Sequence, residues 1–184
     1  WADGLTVIYS DRAVITNNSL GNNSDVALIL GGGRDAYVAN NRITQFGQVA
    51  FAGLMLFNFE NQSAGDFTNT VVTQNEIVCG ASHNCHFGIM LGAHPWNANL
   101  QTYGGTVHGN TVSDALQGIN VEGAGTILAP VTLYNNPVSG TPSSGVFLCG
   151  TRQTSPLNIY TPHSVVNRNG DTTPATNWLW HDCP

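Results

Sequence analysis

Eleven acidic residues in a chain of 184 leave few candidates for acid–base chemistry. Glu60 and Asp66 fall in one Asn- and Gly-containing stretch, and Glu122 follows a short alternating run further on. Two carboxyl groups held about 5–10 Å apart are what hydrolysis of a glycosidic bond requires. His94 could act as a further acid or base, whereas Asp114, near a turn, is a poorer candidate. Aromatic residues accompany these groups: Phe57 on one side, Trp96 and Tyr103 on the other. A ring face beside hydroxyl acceptors is the pairing that a sugar needs. The same aromatics would equally well pin their loops to a scaffold. Elimination from a uronate would need a base plus a cation to neutralise the sugar carboxylate. Arginine is scarce and the acids form no dense run, so hydrolysis is favoured over elimination. No cofactor is expected, with calcium left open.

These residues need elements to hold them, and the elements are repetitive. The pattern Asn-x-aliphatic occurs at Asn18, Asn41, Asn75, Asn110 and Asn136, each with an aliphatic residue three places earlier (Ile15, Val38, Val72, Val107, Leu133). Interleaved with it is a small residue followed by aliphatic-x-aliphatic, beginning at Gly4, Ala27, Gly53, Gly88, Gly118 and Gly145. The second pattern recurs at intervals of 23, 26, 35, 30 and 27 residues. Such periods mark stacked repeats, in which no unit can bury its apolar face alone. Each unit reads as two short alternating runs separated by Gly, Asn, Asp and Ser, and no run carries a helical stripe of ordinary length. Strands of equal position must then stack in parallel. The asparagines should form a ladder of side-chain amides along the axis, at a corner where asparagine tolerates left-handed backbone.

On these two motifs the chain resembles the right-handed parallel β-helix proteins of the pectate-lyase-like group over about residues 3–170. The resemblance implies an all-β solenoid of about six coils. No Asn-Thr-Asp, Gly-His-Gly or Asp-Pro-His signature of the enzymes in that group occurs, so no catalytic residue is carried over from it. Residues 1–170 are read as the β-helix and 171–184 as a C-terminal tail packed on the outside, covering the sheet of the aliphatic-x-aliphatic strands.

Leu54 to Val72 spans 18 residues, as does Ile89 to Val107, where the first two units take 10. Two neighbouring coils therefore carry insertions at one corner, 58–69 and 92–104, which should stand side by side as a wall. Long loops on a rigid scaffold are where binding and catalysis concentrate. The wall would hold Glu60, Asp66, Phe57 and Phe67 from one insertion and His94, Trp96 and Tyr103 from the other.

Alternation also assigns the outward residues. In the aliphatic-x-aliphatic strands they are Thr6, Ile29, Met55, Met90, Asn120 and Phe147, four of which are large and apolar. Such a patch normally has a cover: the tail, another subunit or a missing segment. Self-association through this face is therefore left open. On the opposite strands the outward row is Thr16, Ala39, Thr73, His108 and Tyr134, a polar face suited to water or a glycan. Only Thr16 and Thr73 align there, too few for a regular threonine array of the ice-binding kind.

Charged residues make up 9% of the chain, lysine is absent, and the net charge of −6 opposes binding to a phosphate backbone. No apolar run reaches the roughly 20 residues of a membrane span. The chain starts at Trp1 directly before a repeat strand, which reads as a mature or truncated piece of a longer precursor. Four cysteines allow three pairings. Cys79 and Cys85 flank a tight loop and are natural partners, leaving Cys149 with Cys183. A zinc site with His83 and His86 is the alternative, although its spacing matches no common pattern. Disulfides imply an extracellular or cell-surface location. The functional expectation is a secreted protein that binds or degrades a carbohydrate polymer. The competing expectation is a non-catalytic solenoid, structural or glycan-binding.

Overall fold

The structure, a computed structural model, describes residues 1–58, 65–92, 102–122, 130–149, 157–159 and 165–168. Among these there is no helix. Parallel strands stack into three sheets, giving a β-helix-like solenoid. Sheet A has seven strands: β1 (Leu5–Ile8), β4 (Val26–Gly31), β7 (Ala50–Leu56), β10 (Cys85–Leu91), β13 (Gln117–Glu122), β16 (Ser143–Cys149) and β18 (Val165–Arg168). Sheet B stacks β2 (Val14–Thr16), β5 (Tyr37–Ala39), β8 (Val71–Thr73), β11 (Thr106–His108), β14 (Val131–Tyr134) and β17 (Leu157–Ile159). Sheet C stacks β3 (Ser19–Gly21), β6 (Arg42–Thr44), β9 (Glu76–Val78), β12 (Thr111–Ser113) and β15 (Val138–Ser139).

The motif positions are the register positions. Leu5, Leu28, Leu54, Ile89, Ile119 and Val146 pair in succession across sheet A. Ile15, Val38, Val72, Val107 and Leu133 do so across sheet B, and Leu20, Ile43, Ile77, Val112 and Val138 across sheet C. From Leu5 to Ile119 in sheet A, and throughout the rows of sheets B and C, these side chains meet in one core running along the axis. Each unit thus buries its aliphatic residues only against its neighbours.

A three-sheeted unit corrects the two-run reading. The aliphatic residue three places before each asparagine lies in sheet B, and the one two places after it lies in sheet C. The turn between them is made by the residue preceding each ladder asparagine. Asn17, Asn40, Gln74, Gly109 and Asn135 have φ of 59°, 57°, 56°, 64° and 51°. The left-handed backbone expected of the ladder asparagines belongs to these residues instead. The ladder itself is present. Nδ2 of Asn18, Asn41, Asn75 and Asn110 donates to Oδ1 of the next asparagine at 2.8–2.9 Å. Each of those Oδ1 atoms also accepts a backbone N–H at 3.0–3.1 Å. From the second rung on, Nδ2 also donates to a sheet B carbonyl of the preceding coil, those of Ile15, Val38, Val72 and Val107. The amides can be buried because these bonds replace water.

The small residue opening each sheet A motif has a steric cause. A Cβ on Gly53 would stand 2.5 Å from Cγ2 of Ile77, and one on Gly88 would collide with Val112 Cγ1 and lie 2.6 Å from the Gly118 carbonyl oxygen. Here sheet A passes so close to the aliphatic row of sheet C that only hydrogen fits.

Sheet A is apolar on its other face too. Val26, Ile29, Phe51, Ala52, Met55, Phe57, Phe87 and Met90 form a second cluster, separate from the axial core and at most 3% exposed. The outward residues Ile29, Met55, Met90 and Asn120 are thus buried rather than solvent-facing. The Phe51 and Phe87 rings meet edge-to-face, centroids 5.3 Å apart. Cys79 and Cys85 form a disulfide with a 2.06 Å S–S bond, which consumes both thiolates and removes the zinc alternative. The proposed partners Cys149 and Cys183 fall outside what can be described: only the backbone of Cys149, at the end of β16, is placed. The tail, 171–184, likewise lies outside the described residues.

Candidate functional site

Sheet B and the corner leading into it hold two pairs of the residues singled out by type: Asp66 with Tyr103, and His108 with Tyr134. The corner is built by three successive coils. The Gly33 N–H donates to the Asp66 carbonyl at 3.1 Å, Phe67 N–H to the Tyr103 carbonyl at 2.8 Å, and Tyr103 N–H to the Gly65 carbonyl at 2.9 Å. Asp66 and Tyr103 thereby form a parallel bridge. They close the two insertions, so the insertions stand side by side at their described ends. Phe67 turns inward and is fully buried in the axial core, which anchors the corner. Phe57 is also buried, in the second cluster on sheet A, and offers no open ring face. Of the wall aromatics among the described residues, only Tyr103 retains intermediate exposure.

The Asp66 carboxylate is anchored through one oxygen. Oδ1 accepts from the Thr68 N–H at 2.8 Å and the Thr68 hydroxyl at 2.6 Å, and Oδ2 lies 3.7 Å from Nε of Arg34. Burial, then the Asp66 charge, pushes the Tyr103 hydroxyl above its usual pKa of 10, with Arg34 opposing. Tyr103 is therefore a neutral phenol at physiological pH, able to donate and accept. Arg34 was missed among the candidates. Its signal was positional: Arg34 and Tyr103 both stand three residues before a sheet B strand, β5 and β11.

Three residues past Tyr103 the chain enters β11, and sheet B presents two outward rows. One is Val14, Tyr37, Val71, Thr106 and Thr132; the other is Thr16, Ala39, Thr73, His108 and Tyr134, in which Ala39 and Thr73 are buried, so this row is not the open polar face expected along its whole length. Val14 and Tyr37 are 71% and 41% exposed. The rings of His108 and Tyr134 stack with centroids 4.7 Å apart and planes 4° from parallel. Nδ1 of His108 lies 3.3 Å from the Thr73 hydroxyl. Because the stack is between neighbouring strands, the ring faces point along the axis at each other.

Glu60, His94 and Trp96 lie outside the described residues. Glu122 ends β13 in sheet A, and only its backbone is described. Among the described residues no three His, Cys, Asp or Glu side chains gather as a metal site, and no helix is long and apolar enough to cross a membrane. His83, beside the disulfide, donates from Nδ1 to the Asp114 carbonyl at 2.9 Å, so it ties two coils together.

A carboxylate pair, unforeseen from the sequence, lies at the start of the solenoid. Asp3 accepts from the Val26 N–H at 3.2 Å and the Thr6 hydroxyl at 2.7 Å. Oδ1 of Asp25 is buried with no hydrogen-bond partner. Desolvation, then the charge of Asp3, pushes the Asp25 carboxyl from 3.8 to about 6, the terminal amino group opposing. Its proximity to Asp3 follows from stacking β1 on β4, which a reading of local motifs does not examine.

No protein-family model, curated protein or solved structure matches this chain.

Proposed function

We propose that this protein is a secreted right-handed parallel β-helix of about six coils, of the pectate-lyase-like kind, that binds a carbohydrate polymer. The polymer would run along the solenoid axis over the outer face of sheet B, against the wall made by insertions 58–69 and 92–104. The observation that carries this reading is the parallel bridge between Asp66 and Tyr103. It brings the closing ends of both insertions to the border of the sheet that displays Tyr37, His108 and Tyr134. Tyr103, His108 and Tyr134 offer hydrogen-bonding edges to sugar hydroxyls, and Tyr37 and Val14 offer apolar surface. The Cys79–Cys85 disulfide fits an oxidising, extracellular setting.

Binding is favoured over turnover because Asp66 holds Thr68 through Oδ1 and has Arg34 beside Oδ2. Glycoside hydrolysis is the second reading, favoured over elimination because Arg34 is held by Asp66. It would draw on Glu60, Glu122 and His94 with Asp66. A panel of neutral and acidic polysaccharides separates the two. Binding without release of reducing ends supports the binding reading. Release that disappears in Glu60→Ala or Asp66→Ala supports hydrolysis. A chain that neither binds nor cleaves any member of the panel overturns both.

A further inference from the structure

Three triplets of the form Asn-x-Ser occur in the chain: Asn17-Asn18-Ser19, Asn22-Asn23-Ser24 and Asn61-Gln62-Ser63. This is the sequence on which N-linked glycans are built, in proteins that pass through a secretory compartment, and the modified asparagine must stand at the surface. The triplet is short enough to arise by chance, so its surroundings have to carry the argument. Asn61 lies outside the described residues. The other two triplets are placed, and the fold treats them differently.

Asn17 makes the turn from sheet B to sheet C on the first coil, with φ of 59°. Its backbone N–H donates to the Ala39 carbonyl at 3.3 Å, while its side-chain amide is exposed and makes no hydrogen bond among the described residues. Ser19 opens β3 on the outer side of sheet C, in register with Arg42, and its hydroxyl is likewise exposed and unbonded there. Between them Asn18 turns into the ladder, where its Nδ2 donates to Oδ1 of Asn41. The triplet thus anchors its middle residue and displays the two that matter for transfer. Later coils repeat this corner without the pair. Asn40 is followed two places on by Arg42, Gln74 by Glu76 and Asn135 by Pro137, and Gly109 has no amide to offer. Asn22 has the triplet but spends it within the fold. Its Oδ1 accepts the N–H groups of Phe46 and Gly47, both at 2.9 Å, and the Ser24 hydroxyl accepts the Ala2 N–H at 2.9 Å.

We infer that Asn17 is the acceptor of an N-linked glycan. In the transfer, Nδ2 of Asn17 forms a bond to the anomeric carbon of the first sugar of an oligosaccharide carried as an isoprenoid diphosphate. The bond from that carbon to the diphosphate oxygen breaks, one amide proton is lost and the lipid diphosphate leaves. Nothing is oxidised or reduced. The folded corner leaves the substituted nitrogen in water, so the turn and both flanking strands close without giving up a bond. The inference rests on the extracellular setting proposed above, and not on polysaccharide binding.

The test is a site map of the chain secreted from a eukaryotic host. A glycan-removing amidase used in heavy-oxygen water converts each occupied asparagine to labelled aspartate. Asn17 should carry the label in most molecules. Asn17→Gln should lose one glycan's mass, and so should Ser19→Ala, which keeps the asparagine. Gln74 holds the equivalent corner with φ of 56°, so Asn17→Gln should fold, and Ser19→Ala gives the same reading if it does not. Each site is read separately, so a glycan on Asn22 or Asn61 does not stand in for one on Asn17. An unlabelled Asn17 beside an intact Cys79–Cys85 disulfide overturns this inference and leaves the extracellular reading in place. Free thiols at Cys79 and Cys85 withdraw the oxidising setting and overturn both. Label at Asn17 that persists in Ser19→Ala is spontaneous deamidation, and overturns the inference equally.

Discussion

Nδ2 of Asn75 donates to Oδ1 of Asn110 at 2.8 Å, and the same Oδ1 accepts the Asn75 backbone N–H at 3.0 Å. Both residues are buried, and the pair is one rung of a ladder that crosses five coils. Replacing Asn75 by Ala removes four bonds and strands the buried Asn41 N–H. A stranded buried group costs about 1–3 kcal/mol, so Asn75→Ala should lose about 3 kcal/mol and about 6–12 °C in Tm. Asn18→Ala, at the half-buried end of the ladder, should lose less than half of that. Urea melts of the two variants check the order, and equal losses would make the ladder a row of independent turns.

Gly88 tests the close approach of sheets A and C. Gly88→Ala drives a methyl group into Val112 and the Gly118 carbonyl, the latter being backbone that cannot swing aside. A loss of about 3 kcal/mol or more is expected. Gly47→Ala, whose Cβ would meet nothing nearer than 3.8 Å, should change stability by under about 1 kcal/mol. Thermal melts of the two alanine variants make the comparison.

Asp25 sets a pH dependence. Its carboxyl is raised from 3.8 to about 6 in the folded protein, so the folded state holds this proton more tightly than the unfolded chain. Its contribution to stability is present below about pH 4 and is lost as pH rises through about 6. Asp25→Asn keeps the shape without the charge. It should raise Tm at pH 7 by about 2–4 °C, allowing for the solvent screening of a partly exposed group, and by little at pH 4. Calorimetry at both pH values decides, and a variant less stable at pH 7 would contradict the assignment.

The Cys79–Cys85 bridge closes a short loop, so its removal should cost only about 2 kcal/mol in the chain-entropy treatment. The Cys79→Ser/Cys85→Ser variant should remain folded at room temperature. Its chemical denaturation midpoint measures the loss.

The sequence made the fold legible because each structural demand recurs at a fixed offset. Core rows at Leu28, Leu54 and Ile89, and at Val38, Val72 and Val107, repeat the same residue class in the same place, and so do the ladder asparagines. The bend between sheets B and C was less visible because Asn17, Gln74 and Gly109 meet one backbone requirement with three residue types. The candidate site was legible only in part. Matched insertion lengths foretold that the two insertions adjoin at one corner, though not that Asp66 pairs with Tyr103 there. Neither the approach of Arg34 to Asp66 nor the stacking of His108 on Tyr134 could be read, because both arise from side chains on different coils. The burial of Phe57 and Met55 depends on what lies over sheet A, which no local pattern encodes.

The central claim is that sheet B and its adjoining corner bind a carbohydrate polymer. Affinity electrophoresis through gels containing each polysaccharide of a neutral and acidic panel tests it most directly. At least one polysaccharide should retard the native chain, and Tyr103→Ala and His108→Ala should each weaken that retardation about tenfold, a change of about 1.4 kcal/mol. Phe46→Ala, at an exposed ring on the corner after sheet C, should leave it unchanged. Retardation by no polysaccharide, or equal retardation of all four proteins, would contradict the claim.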